Sequence, residues 1–368
     1  MIEPRWGGGM IRIGDVDRGR DNNFNLLRLI AASAVLGSHC WPLALGGETV
    51  EPLKALSGYT LGTTAVMVFF SISGFFITKS FVSQASVLDF MTARMCRIVP
   101  ALFFVLFLSA FLMGSIFTSL PIFEYFSSLE TYRYLLNNLI LIRGQQWTLP
   151  GVFMDNPTPA VNGSLWTLYY EVLCYTLVVF AGLLGILRKS VAMFLPALAI
   201  LTMIMVPQIH DSSFITKIDT LGWPFCLGAV AYIYRFQIYL NIIFVAFLLL
   251  MLFVTNNTVI YPILYGVFVA YFALWFGFIA APNLRVYNKF GDYSYGVYIF
   301  AYPVQQMSVA LFQPVEPLTL ALLSFPPTLL LAILSWHLIE EPALNQRHQI
   351  GQLLGRWRMR VLTRRFSD

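Results

Sequence analysis

The sequence predicts an all-α fold, a polytopic transmembrane bundle of about ten spanning helices with one short interfacial or re-entrant helix. Three observations lead there. Of the 368 residues, 58% are hydrophobic and only 11% are charged, whereas soluble domains carry about 25% charged residues. The mean hydropathy is +0.71, too high to wet the surface of a soluble globule. The apolar residues fall in runs of about 20, the length of helix that crosses a hydrocarbon core of ~30 Å at ~1.5 Å per residue. Soluble enzymes, disulfide scaffolds, coiled coils and disordered regulators are excluded. Cys40, Cys96, Cys174 and Cys226 have neither zinc-ligand spacing nor a disulfide framework and read as small packing residues, with no metal implied. The formal charge of +5 reflects the Lys and Arg excess that orients a membrane chain, so nucleic acid is not an expected partner.

Eleven segments qualify as candidates: residues 24–45, 61–81, 98–120, 132–142, 164–187, 191–207, 220–234, 238–254, 259–281, 293–312 and 318–339. The first is too long for a signal-peptide core and lacks a small-residue cleavage site, so it is retained. Arg5, Arg12, Arg18 and Arg20 before it, and Arg347, Arg356, Arg358, Arg360, Arg364 and Arg365 after the last, place both termini in the cytoplasm. An even number of crossings follows, and one candidate must not span. Residues 132–142 are the weakest, short and interrupted by Asn137 and Asn138. With that segment removed, nineteen basic residues lie inside against four outside, namely Lys54, Arg133, Arg143 and Lys217. The domain plan is a cytoplasmic N-terminal tail (1–20), a transmembrane domain (21–345) and a basic cytoplasmic C-terminal tail (346–368). The tail from Gln346 onward alternates Leu353, Leu354, Trp357, Val361 and Leu362 with arginines, a pattern open to an amphipathic surface helix or to orientation alone. The outer connection, residues 121–163, contains Trp147, Pro150, Gly151, Pro157 and Pro159. A segment of that length reads as a lid or acceptor platform, or as a merely packed loop.

Ionisable groups inside a span cost at least about 2.5–3.5 kcal/mol at the centre, so each one needs a reason. Arg28 and His39 are eleven residues apart in the first segment, about three helical turns, and project from one face about 16 Å apart. His39 would lie near mid-membrane, where an imidazole can take and return a proton near neutrality; the alternative is a core histidine hydrogen-bonded across helices. Glu171 is the second such group, able to orient His39, to accept a proton from an acceptor hydroxyl, or to pair with another buried polar group. Arg94 and Arg97 share one side of a helix start and have the guanidinium geometry that suits phosphates, although spacing alone favours orientation of the chain.

These residues sit in stretches that resemble the acyltransferase 3 family of integral membrane O-acyltransferases. Asn22 to Ala32 with Ser38-His39 resembles the family's arginine, ten residues, histidine signature, and Phe69-Phe70-Ser71-Ile72-Ser73-Gly74-Phe75-Phe76-Ile77 its second-span motif. Arg94 and Arg97 resemble its RxxR pair, and Asn162-Gly163-Ser164-Leu165-Trp166-Thr167-Leu168-Tyr169-Tyr170-Glu171 its SLWSLxxE stretch. Gly291-Asp292-Tyr293-Ser294-Tyr295-Gly296-Val297-Tyr298 and Ser335-Trp336-His337-Leu338-Ile339-Glu340-Glu341-Pro342 resemble its late SYxxY and IExP motifs. The resemblance runs in family order from about residue 21 to 345.

It implies transfer of an acyl group, usually acetyl, from cytoplasmic acyl-CoA as co-substrate, with no bound cofactor, to a hydroxyl of a surface glycan or lipid-linked saccharide. It makes His39 the leading catalytic residue with Glu171 beside it, and Arg28, Arg94 and Arg97 contacts for the phosphates of acyl-CoA. Ser73, Ser164, Trp166, Tyr169 and Tyr295 are supporting residues, and the last four are candidate oxyanion donors. It points to a bacterial inner membrane, with polysaccharide-assembly proteins as partners. Two departures stand out. Where many members place a histidine after the SYxxY motif, this chain reads Tyr298-Ile299-Phe300-Ala301-Tyr302-Pro303. Some members also continue into an extracytoplasmic hydrolase-like domain, whose acceptor-delivering role is here expected to be absent or supplied in trans. A transporter or flippase would also bury His, Glu and Arg, but its inverted repeats are not evident.

Overall fold

A computed structural model of the protein describes residues 11–19, 21–47, 49–83, 86–141, 145–197, 199–201, 213–280, 282–347 and 349–353. Among them helices dominate, and two-residue strands β1 (Ile11–Arg12) and β2 (Tyr239–Leu240) form one small antiparallel ribbon. The main helices are α1 (Phe24–Leu45), α2 (Leu61–Ser83), α3 (Val87–Phe107), α4 (Leu129–Ile140), α5 (Trp166–Leu183) and α6 (Ser213–Ile233). They are followed by α7 (Ile242–Thr255), α8 (Tyr261–Phe278), α9 (Ser294–Phe312) and α10 (Pro317–Ser335). Helix α3 runs on through a wider turn, Leu108–Met113, to Gly114–Phe117; α10 continues through another, Trp336–Glu340, as far as Arg347.

Six of these helices, α1, α2, α3, α5, α8 and α10, are long and apolar enough to cross a membrane, and the chain is a multi-pass membrane protein of the expected all-α class. Helices α6 and α9 are of similar length but include Lys217 and Asp219 in one, and Gln305 and Gln306 in the other; α7 is a shorter apolar helix. Helix α3 begins well before residue 98 because Ser86 caps it, its hydroxyl accepting from the Asp89 N–H. Arg94 and Arg97 therefore lie within a helix whose polar first turns hide it from a hydropathy reading. Residues 198 and 202–207 of the sixth candidate segment, 191–207, lie outside the described residues, as do Arg5, Arg20, Arg143 and the C-terminal tail beyond residue 353.

The chain forms two compact units. The first comprises Met1–Val35, Glu51–Lys79 and Leu173–Asp292. Here the expected N-terminal tail is folded from Ile11 onward. Ile11 pairs with Leu240 and Arg12 with Tyr239, Ile13 is fully buried, and Asp17 meets the Lys79 ammonium at 2.5 Å. Asn23 anchors the start of α1, its side chain donating to the Ala280 carbonyl and its N–H to the Gly277 carbonyl at 2.7 Å. Helices α2 and α6 approach at two glycines: a Cβ on Gly74 would strike the Phe225 carbonyl oxygen, and one on Gly228 the Ser71 carbonyl oxygen. The family-like FFSISGFF stretch is thus, at Gly74, a packing device of the small-residue kind that brings membrane helices together.

The second unit comprises Leu36–Val50, Ser80–Val172 and Tyr293–Asp368. Its spine is the α9–α10 pair, closely apposed where Gly296 meets the Ala332 backbone. The outer segment is a packed structure rather than a loose lid. The Tyr125 hydroxyl donates to the Ala110 carbonyl at 2.6 Å, Thr118 to the Pro150 carbonyl at 2.8 Å, and Asn156 to the side chain and carbonyl of Gln306. Gln306 in turn donates to the carbonyls of Thr158 and Ala160. Helix α4, at 12 residues about 18 Å long, is too short to span. It buries Thr131, Tyr134 and Asn138 and exposes Leu129, Tyr132, Leu136 and Ile140, the outward apolar face expected of a helix at the membrane interface.

Gly74→Ala and Gly228→Ala are each expected to lower the thermal midpoint of purified protein by an amount equivalent to at least the ~1–3 kcal/mol of overpacking. Gly222→Ala, on the same α6 helix with only an ordinary contact at 3.9 Å, should be neutral or stabilising. Equal midpoints for all three would refute the close approach of α2 and α6.

Candidate active site

Helix α1 is unbroken from Phe24 to Leu45, so Arg28 and His39 share one helix as the spacing predicts. Arg28 and Ser73 fall in the first unit, and the other candidate residues fall in the second.

In the second unit His39 stands among apolar and neutral groups. The residue is half-buried, but its Nδ1 atom is sealed and has no hydrogen-bond partner among the described residues. Its ring meets the Tyr302 ring edge-on, centroids 5.2 Å apart at 76°. On the same helix Leu36, Cys40 and Leu43 pack into a buried cluster with Ala301, Tyr302, Val309, Val315 and Leu320. Cys40 acts as the packing residue expected, its thiol donating to the Leu36 carbonyl at 3.3 Å. Gln305 reaches the same face, its Nε2 donating to the Leu36 carbonyl at 2.7 Å and lying 3.0 Å from Cys40 Sγ.

The Asn162-Gly163-Ser164 stretch forms a capped turn leading into α5. Asn162 accepts from the Ser164 N–H at 3.1 Å and donates to the Ile299 carbonyl at 2.9 Å. Gly163 is obligatory there because a Cβ would run into the Tyr302 ring. The Tyr298 hydroxyl donates to the Ser164 carbonyl at 3.0 Å and is hydrogen bonded with Thr167 at 2.6 Å. Ser164 Oγ is buried and unpartnered among the described residues, which leaves a hydroxyl available to a reacting group.

Glu171, one turn beyond Thr167, is an electrostatic neighbour of the Tyr298 hydroxyl. Trp166 and Tyr169 both pack edge-on against Tyr170, at 5.7 and 5.2 Å. Tyr295 uses its hydroxyl on the Ile98 carbonyl at 3.0 Å, so of the four suggested oxyanion donors it is committed elsewhere.

The arginines are met by carboxylates from the late motifs. Arg97 Nη1 lies 3.1 Å from Glu340 Oε2; Glu340 is fully buried and its other oxygen accepts from Ser335 Oγ at 3.0 Å. The guanidinium also stands over the Tyr295 and Trp336 rings, 5.7 and 5.4 Å from their centroids. Arg94 is half-buried one turn earlier. In the first unit Arg28 pairs with Asp292 at 3.6 Å and lies 5.7 Å from the Phe76 centroid. Ser73 is half-buried beside the Gly74 contact. Sequence reasoning quoted Asp292 and Glu340 within motifs but gave them no task. The signal was available, since a carboxylate in an apolar run requires a cation. It likewise quoted Asn162 without a task, and it missed Gln305 because a neutral amide leaves little trace in composition or charge.

A polytopic helical bundle with a histidine in a neutral buried cluster, and arginines braced by carboxylates, has the makings of a membrane-embedded transferase. The chain belongs to the acyltransferase 3 family: a family model described as an acyltransferase domain matches residues 21–337. It is an O-acyltransferase. An O-acetyl transferase of Shigella phage Sf6 is 29% identical over 343 residues, covering 89% of this chain and 97% of the phage protein. Nodulation protein 10 of Rhizobium leguminosarum bv. viciae is 28% identical over 371 residues, covering 89% of this chain and 95% of that protein. No solved structure matches the chain.

Removing one partner of the Arg97–Glu340 pair leaves a charge in a poorly hydrated setting, which costs about 3–5 kcal/mol for buried pairs. Glu340→Ala and Arg97→Ala should each destabilise the protein, and the double variant should be less destabilised than the sum of the two. Strict additivity of the thermal shifts would show that the two side chains do not support each other.

Proposed function

We propose that the protein transfers an acyl group, acetyl being the expected case, from cytoplasmic acyl-CoA to a hydroxyl of a surface glycan or lipid-linked saccharide, with His39 as general base. The observation that carries this reading is the His39 ring, held at Tyr302 in an apolar cluster with an unmatched nitrogen. A neutral imidazole carries its proton on one nitrogen and accepts at the other, so the ring can hold a partner through Nδ1 and still take a proton at Nε2. The phage relative, described as an O-acetyl transferase, supports the choice of acetyl.

In this scheme neutral His39 takes the proton of the acceptor hydroxyl as its oxygen attacks the thioester carbonyl. The carbonyl oxygen gains the negative charge, for which Ser164 Oγ is the candidate donor, being buried and unpartnered among the described residues. Collapse expels the CoA thiolate, which takes the proton back from the imidazolium. Glu171, beside Tyr298 and Thr167, shapes the polar wall at the Ser164 turn.

Arg28, Arg94 and Arg97 are the proposed contacts for the donor's phosphates, which would compete with Asp292 and Glu340 for two of these guanidinium groups. The distribution of basic residues argues for both termini in the cytoplasm of a bacterial inner membrane. Polysaccharide-assembly proteins are the partners proposed to supply or receive the saccharide.

Purified protein given acetyl-CoA and a hydroxylated saccharide should release free CoA, and His39→Ala should lower kcat by about 10²- to 10⁴-fold. Absence of release by wild type, or equal release by His39→Ala, would sink the catalytic assignment. Loss of O-acetylation from the surface polysaccharide of cells lacking the protein would identify the acceptor class.

A further inference from the structure

We propose that Gln305 is the positioning residue for His39, accepting a hydrogen bond from Nδ1–H so that the Nε2 lone pair is turned to the acceptor hydroxyl. This rests on the base role assigned above.

His39 Nδ1 and Gln305 Oε1, both in the second unit, are buried and unpartnered among the described residues. They are also complementary: an imidazole nitrogen can donate, and an amide oxygen only accepts. Gln305 is fully buried, where an unmatched polar atom costs about 1–3 kcal/mol. The other end of its amide fixes where that oxygen stands. Nε2 is tied to the Leu36 carbonyl and Cys40 Sγ, at 2.7 and 3.0 Å. Leu36 lies three residues before His39 and Cys40 directly after it, so the amide is held against the part of α1 from which His39 projects.

From α9, Tyr302 presses its ring on the imidazole, and Gln305 follows three residues later. One helix thus offers His39 a surface that limits its tilt and, a turn on, an oxygen to hold it. In the proposed state the imidazole turns about χ2, a soft torsion for histidine, to make this bond. The bond matters because a neutral imidazole carries its proton on one nitrogen and accepts at the other. Without an acceptor at Nδ1, the proton favours Nε2, the wrong atom for a base facing substrate.

Two variants separate positioning from structure. Gln305→Met has similar length and loses both amide functions, whereas Gln305→Glu keeps an acceptor oxygen but loses the donor to Leu36. Gln305→Met is expected to lose about 10²-fold in kcat with little change in KM. Gln305→Glu should remain within about 10-fold of wild type. Equal losses in both would assign Gln305 to the Leu36 tie alone and overturn the proposal. NMR of the full chain, labelled at the histidine ring nitrogens and assigned by the signals lost in His39→Ala, reads the tautomer without turnover. The expected result is a proton on Nδ1 in wild type and Gln305→Glu that moves to Nε2 in Gln305→Met. A wild-type proton on Nε2, or no change in Gln305→Met, would overturn the proposal. Failure of the base role would appear separately, as full activity in His39→Ala.

Discussion

Water is scarce at the depth where a multi-pass protein keeps its polar side chains, and each of them must find its match within the protein. Glu340 shows how far that requirement reaches. It is fully buried, yet both carboxylate oxygens are met, one by Arg97 and one by Ser335. The wide turn at Trp336–Glu340 lets α10 present that carboxylate and the Trp336 ring to the same guanidinium. In the first unit Asp292 serves Arg28 in the same way, at 3.6 Å. Neutral groups obey the rule too: Asn156 and Asn162 donate to the α9 carbonyls of Gln306 and Ile299, and Gln306 donates to the loop carbonyls of Thr158 and Ala160.

Between membrane helices there is little hydrophobic drive, so close packing and hydrogen bonds must supply the cohesion. Gly74 and Gly228 in the first unit, and Gly296 in the second, mark the places where backbones come within reach. The Gly296 contact has a consequence for chemistry. It fixes α9 against α10, and α9 carries Tyr298, Tyr302, Gln305 and Gln306, which between them hold the Ser164 turn, the His39 ring and the outer segment. An acyl-transfer site needs rigid support of this kind, because a small misplacement of a base is expensive in rate.

The helical class and the rough places of the helices were legible because a 20-residue apolar run has few alternative fates. Charge blurred the boundary of α3, where Arg94 and Arg97 lie inside the helix, and β-pairing folded a segment that composition read as a tail. Arg28, His39, Arg97 and Glu171 stood out in sequence because ionisable residues in apolar runs are rare. Their partners did not, since pairing across more than two hundred residues leaves no local trace. Arg97 with Glu340 and Arg28 with Asp292 are such pairs. Gln305 was invisible for a further reason: its amide carries no charge, and its task depends on which two atoms of Leu36 and Cys40 it meets.

A contrast within the second unit bears on how the reaction ends. Around Glu340, Asn156 and Asn162 the polar side chains are matched, while His39 Nδ1, Gln305 Oε1 and Ser164 Oγ are not. Ser164 Oγ is thereby left for a substrate, and His39 Nδ1 and Gln305 Oε1 for each other. Ala301 is buried in the apolar cluster with Leu36 and Cys40, so that face of α9 offers His39 no second imidazole. A base that takes up a proton among neutral groups becomes an unpaired cation in a medium that penalises it. It has reason to surrender the proton quickly, and the departing thiolate is an acceptor that the reaction itself creates. If His39 is the base proposed above, these surroundings suit direct transfer with both substrates bound, in which the proton leaves with CoA.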